Sequence, residues 1–263
     1  MKKAVFIFIL LTALFSSLAA ASYISLNTSV NTKFENGVLK LSVGTVNKGD
    51  ESAYNVQAEL KVGEKSVLAE KKSELPIDGA YQADVTFKPV IKKPGTYPLF
   101  LILHYTDANQ YPFSALSAQT FIYQKEAVAP IFGQLKSTSF SKEGSLQLVL
   151  KNLGDNAIET KTSIVAPREL SIINNGEPIM VPSKGEAAAS FNIKNFSALA
   201  GSTYQVFAVS ESEDNDLHYT SIAPGTIKIV AAQEVFGLGY PLVFTLLALL
   251  IIVFIGTQFI NRK

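Results

Sequence analysis

The sequence has no cysteine and no tryptophan, and only two histidines among its 263 residues. Without cysteine there is no disulfide framework, no thiolate nucleophile and no thiolate metal site, so any exported domain must be held by its apolar core. This suits a prokaryotic envelope protein better than a eukaryotic ectodomain. Charge of one sign is also missing: 23 basic residues stand against 22 acidic ones, which leaves no net field to attract nucleic acid. No G-x-S-x-G turn, phosphate-binding loop or metal-ligand spacing occurs, so an enzyme is not expected and no cofactor is implied. Helical periodicity is absent until the C-terminal segment.

What is present begins with Met1, Lys2 and Lys3, an apolar run from Ala4 to Phe15, and the small residues Ala19, Ala20 and Ala21. A positive segment, an apolar segment and an A-x-A site, in that order, predict a secretory signal over 1–21 with cleavage after Ala21. At the other end, Leu242 to Ile260 carries no charge and as a helix would cover ~28 Å of hydrocarbon. A transmembrane helix is therefore expected over 240–260, after a juxtamembrane linker over 233–239. Tyr240 and Pro241 mark its outer interface, and Arg262 and Lys263, in the basic tail 261–263, place that tail in the cytoplasm. No LPxTG-like motif precedes the segment, which argues against a sorting signal that is later removed.

Between these ends, short runs alternate apolar and polar residues and are rich in Val, Ile, Thr, Tyr and Phe. Val38 to Val43, Tyr54 to Val62, Ala83 to Phe87 and Tyr97 to Tyr105 are expected as half-buried strands. Turn residues separate them, as in Asn47 to Asp50, Ile77 to Gly79, Lys93 to Gly95 and Asp107 to Asn109. The program is written twice. Leu39-Lys-Leu and Asn47-Lys-Gly-Asp50 return as Leu146-Gln-Leu and Asn152-Leu-Gly-Asp155. Phe87 returns as Phe191, Gly95-Thr-Tyr97 as Gly201-Ser-Thr-Tyr204, and Tyr111 as Tyr219, all at offsets of 104 to 108. The fold class expected is all-β: two tandem immunoglobulin-like β-sandwich domains, 22–127 and 128–232, plus one C-terminal transmembrane helix.

The strand, Asn-x-Gly-Asp turn and strand, at residues 38 to 62 and 145 to 166, resemble the CARDB and NEW3 modules of bacterial and archaeal surface proteins. The resemblance implies an extracytoplasmic adhesive or spacer module, often linked to carbohydrate or protein binding.

Candidate sites are few. Glu211, Glu213, Asp214, Asn215 and Asp216 form the densest group of oxygen ligands, and calcium takes such oxygens. Their spacing fits no EF-hand loop and they match the hairpin tip Thr106 to Gln110, so a solvated turn is the expectation and no metal is called for. His104 and His218 read as half-exposed sheet residues. A sugar platform would have to use tyrosines, among them Tyr81, Tyr97, Tyr105, Tyr111, Tyr123, Tyr204 and Tyr219, and most fall at ordinary packing positions. In the membrane segment Gly256 and Gln258 are the candidate helix contacts, although one small residue is not a small-xxx-small face. The expected function is a membrane-anchored extracytoplasmic scaffold that presents two sandwiches to an envelope protein partner. The alternatives are an accessory subunit of a secretion, transport or surface-polymer complex, docked through its helix, and a carbohydrate-binding surface protein.

Overall fold

The computed structural model describes residues 23–174, 176–214, 216–232, 234–235 and 238–260. Nearly all of it is strand. In chain order these are β1 (Leu26–Glu35), β2 (Val38–Asn47), β3 (Ala53–Val62), β4 (Lys65–Leu68), β5 (Lys72–Leu75), β6 (Ala80–Phe87), β7 (Gly95–Thr106) and β8 (Pro112–Tyr123). There follow β9 (Ile131–Leu135), β10 (Thr138–Phe140), β11 (Glu143–Asn152), β12 (Ile158–Val165), β13 (Leu170–Ile173), β14 (Pro178–Val181), β15 (Glu186–Asn195), β16 (Thr203–Asp214) and β17 (Leu217–Ile229). A two-strand hairpin, β18 (Glu234–Val235) and β19 (Leu238–Gly239), lies in the expected linker and precedes the helix α1 (Tyr240–Ile260).

The chain packs as two units. One takes residues up to Glu59, Val67–Lys88 and Leu103–Phe113; the other takes Leu60–Ser66, Pro89–Ile102 and everything from Ser114 onward. The expected boundary near Ala127 falls inside the second unit.

In the first unit, β1, β2 and β6 form an antiparallel sheet in that order. The sequence of β2 alternates strictly, and Leu39, Leu41 and Val43 are all buried while Lys40 and Ser42 face out. Each buried leucine contributes roughly 2 kcal/mol by leaving water. Facing them is β3, which buries Val56 and Ala58 and carries β5 and β4 as its neighbours. The second unit repeats this with one more strand in the first sheet. There the order is β13, β15, β11, β9, and the opposing sheet runs β14, β12, β16, β17. Leu146, Leu148 and Leu150 of β11 meet Val206, Ala208 and Ile227 of that sheet in one apolar cluster.

Two sequence expectations change. The run from Tyr97 to Tyr105 is not half-buried: Pro98, Leu99, Phe100 and Leu101 are all covered. Phe100 packs with Leu116, Phe207 and Val209 in a second apolar layer. Strands covered on both faces read as continuous apolar runs, which is how PLFLIL and VFAV are written. The repeat offset also tightens. Backbone bonds pair Asn47 with Gly79 and Asn152 with Gly185, so the copies match at offsets of 105 and 106. Leu41, not Leu39, therefore stands where Leu146 does, since the partners of that pair are Val85 and Phe191.

The helix α1 has no acidic residue in its first turn and no basic one in its last. Pro241 suits a first turn, where the missing N–H has no helical partner to lose. Leu242, Phe244, Leu246, Leu247, Leu249, Leu250 and Ile252 each keep more than half their surface exposed. Among the described residues no helix is long and apolar enough to cross a membrane, and the side chains of α1 are described only over 241–250 and at Ile252. The expected signal segment 1–21 and the tail residues Arg262 and Lys263 lie outside the described residues. So do the side chains of Tyr240, Gly256 and Gln258.

Candidate functional site

Turn chemistry builds the first recurring site. Asn47 and Asn152 are both fully buried, and an amide cannot be buried at low cost unless its donors and acceptor are used. The Asn47 Nδ2 donates to the Glu51 and Leu75 carbonyls at 2.7 and 3.2 Å, and its Oδ1 accepts from the Gly49 N–H at 3.0 Å. The Asn152 Nδ2 donates to the Asn156 and Val181 carbonyls at 2.8 and 3.3 Å, and its Oδ1 accepts from the Gly154 N–H at 2.8 Å. One side chain thus ties a strand end, a turn and the strand opposite. An exposed ion pair crosses each turn, Lys48 with Asp78 and Lys184 with Asp155.

The acidic hairpin is organised differently from a calcium loop. Glu211 and Glu213 lie on β16 opposite Thr220 and His218 of β17, and Asp216 takes a left-handed backbone (φ 60°) at the turn. Glu213 pairs with Lys93, and the Oε1 of Glu211 lies 3.3 Å from the Nε2 of His218. Two of the four carboxylates in the group therefore face a lysine or a histidine. Asp214 and Asp216 follow at the exposed tip, and among the described residues no three carboxylate or imidazole groups gather to hold a metal.

His218 is the centre of this cluster and is buried, contrary to the half-exposed expectation. Its ring stacks on Tyr97 with centroids 4.0 Å apart and planes 8° from parallel. The Nδ1 lies 3.0 Å from the Thr96 carbonyl, which also accepts from the Thr220 hydroxyl at 2.8 Å. A carbonyl and a carboxylate only accept, so both ring contacts are hydrogen bonds only when both nitrogens carry hydrogen. Burial lowers the His218 pKa, but the Glu211 hydrogen bond, the Thr96 carbonyl and the nearby charges of Glu211 and Glu213 outweigh it, and the net shift is upward. Lys93 holds the Glu213 carboxyl below the usual carboxylate range. The β7 backbone must come close for this: a Cβ on Gly95 (φ 148°) would sit 2.1 Å from the His218 carbonyl oxygen. The other histidine, His104, is half-buried and keeps one contact, its Nε2 lying 2.8 Å from Glu59.

A second polar feature was not visible in the sequence. Glu169 is 1% exposed, and both its carboxylate oxygens accept from Ser114, one from the N–H and one from the hydroxyl. Its carbonyl accepts from the Phe196 and Ser197 N–H groups at 2.9 and 3.2 Å. Nothing in the sequence around Ser114 marks it as this partner, because the pair is 55 residues apart. The seven candidate sugar-platform tyrosines do not present flat exposed rings: Tyr81 and Tyr204 are buried, and the other five are half-buried. Tyr81 turns its hydroxyl to the Glu70 carbonyl at 2.7 Å.

No family model matches the chain, and no curated protein does. Solved structures align with it distantly. The native α2-macroglobulin of Escherichia coli shares 9% identity over 78% of this chain and 17% of that one, with a TM-score of 0.31. A Porphyromonas gingivalis W83 protein of unknown function shares 8% over 78% of this chain and 99% of its own, with a TM-score of 0.33. Red sea bream transglutaminase shares 9% over 78% and 31%, with a TM-score of 0.28. Matches of this depth assign neither a family nor an activity.

Proposed function

We propose that this chain is a non-enzymatic, membrane-anchored scaffold whose two immunoglobulin-like modules stand outside the cytoplasm and present surfaces to an envelope protein. The observation that carries this is α1. Seven large apolar side chains point outward on its described part, and a helix apolar all round needs either a large core or lipid around it. The strand orders support the module assignment, since each unit has an antiparallel sheet of three or four strands of its own, β1-β2-β6 and β13-β15-β11-β9. The polar clusters support a binding rather than a chemical role. The His218 ring is stacked on Tyr97 with an oxygen acceptor beside each nitrogen, and Ser114 is committed to Glu169, which leaves neither placed as a free base or nucleophile.

Exposed strand edges are the contact elements in this account, because an edge accepts a partner strand. β1 is one of them, with ten residues paired on one side only among the described residues. The test is alkaline carbonate extraction of membranes from cells making the full chain, beside a variant with residues 240–260 replaced by a Gly/Ser segment. The full chain should stay in the pellet and the variant should be released. Release of both would overturn anchoring by α1.

A further inference from the structure

Three large apolar side chains are exposed at one end of the second unit: Phe196 is 81% exposed, Leu199 42% and Val230 40%. This is not a slack loop. The Asn195 N–H donates to the Lys142 carbonyl at 2.8 Å, its Nδ2 donates to the Ser141 and Ala198 carbonyls at 2.9 Å each, and its Oδ1 accepts from the Ala198 N–H at 2.7 Å. Phe196 and Ser197 hang from the carbonyl of buried Glu169, Gly201 donates to the Ile229 carbonyl, and Val230 donates to that of Phe140. The backbone is tied on both sides of Phe196 and again at Gly201 while the phenyl ring stays exposed, which is a preorganised contact rather than a collapsed one.

The surroundings say what it fits. Arg168, Lys194 and Lys228 are exposed and adjoin the residues that hold the loop, and the exposed acid Glu143 pairs with Lys194. The last strand also ends here. Tyr240 of α1 follows Ile229 by eleven positions, and the pairing of Glu234 with Gly239 draws the ends of that hairpin to about 5 Å. The extended reach from this end of the unit to α1 is then only about 25 Å. Apolar and aromatic side chains ringed by basic ones are the composition of a lipid-interface contact.

We propose that the loop 195–202, with Val230, is a second membrane contact: Phe196 and Leu199 enter the headgroup region of the outer leaflet, and the basic side chains of Arg168, Lys194 and Lys228 meet anionic lipid. This rests on α1 being the anchor. The absence of cysteine allows a clean test with the full chain in vesicles of phosphatidylcholine and phosphatidylglycerol. A fluorophore is placed on Phe196→Cys and, as the control, on Leu153→Cys, an exposed position beside the Asn152 turn. Both sites are exposed, so neither change disturbs the core. Lipid-borne nitroxides should remove most of the emission at 196 and leave 153 unchanged. Protein retained after a carbonate wash with equal emission at both sites would overturn the loop contact and leave the anchor standing. Loss of the protein in the wash would overturn both. Shielding of 196 from aqueous iodide without nitroxide quenching would mean a protein occupant, and would also overturn it.

Discussion

The side chains of Asn47 and Asn152 make the same bonds, whereas the segments that follow their next strands differ. After β3 the chain stays beside it as β4, but after β12 the matching stretch crosses to the opposite sheet as β13, paired with β15. The edge strands differ as well: β1 pairs with β2 over ten residues, while β9 holds β11 over five before β10 joins β17 in parallel. Side chains explain the contrast. A buried amide with all its bonds made tolerates no replacement, so the turn is kept. An edge segment with exposed residues such as Lys65 and Ser66 has no such obligation. The copies share what their cores require and diverge where water is the neighbour.

The largest effects should be equal in the two copies. Leu41→Ala and Leu146→Ala each open a cavity in a fully packed site and should cost about 3 kcal/mol by denaturant unfolding; a difference above about 2 kcal/mol between them would break the match. Asn47→Ala and Asn152→Ala should each cost about 2 to 3 kcal/mol, because carbonyls and an N–H are orphaned in both. The Asn-to-Asp variants should not rescue, since the donors are what the two carbonyls need.

The next pair should split. Gly201 also has a left-handed backbone (φ 94°), but a Cβ added there would meet nothing within 4 Å, whereas one on Gly95 would meet the His218 backbone. Gly201→Ala should cost about 1 kcal/mol of strain alone, and Gly95→Ala several times that, read as a shift in melting temperature. Equal effects would mean the Gly95 approach is not built as described.

The smallest effect is a pH dependence centred on His218 of the second unit. The His218 pKa is raised in the folded protein, so its contribution is full below about 6.5, the unfolded value, and is lost as pH rises through the folded value. Melting temperature should hold level below about pH 6.5, fall as pH rises from there through the folded value, and lose this fall in His218→Phe. Glu213, whose pKa is lowered, acts in the opposite sense, losing its contribution only as pH falls through its folded value.

Period-two patterning made the half-buried strands legible, and Asn47 and Asn152 declared the repeat because short turns fix their own chemistry. The strands covered on both faces escaped that pattern: in β7 and β16 the apolar layer around Phe100 and Phe207 depends on contacts far apart in sequence. The acidic hairpin was legible as a cluster but not as a site, because Lys93 and Tyr97 reach it from more than a hundred residues away. Glu169 and Ser114 left no local signal at all.

The central claim is that α1 crosses a membrane with the sandwiches outside. In intact cells making the full chain, a membrane-impermeant maleimide should label Leu68→Cys, which lies 57% exposed on β4. Lys263→Cys should react only after permeabilisation. Labelling of Lys263→Cys in intact cells, or protection of Leu68→Cys in them, would contradict the account.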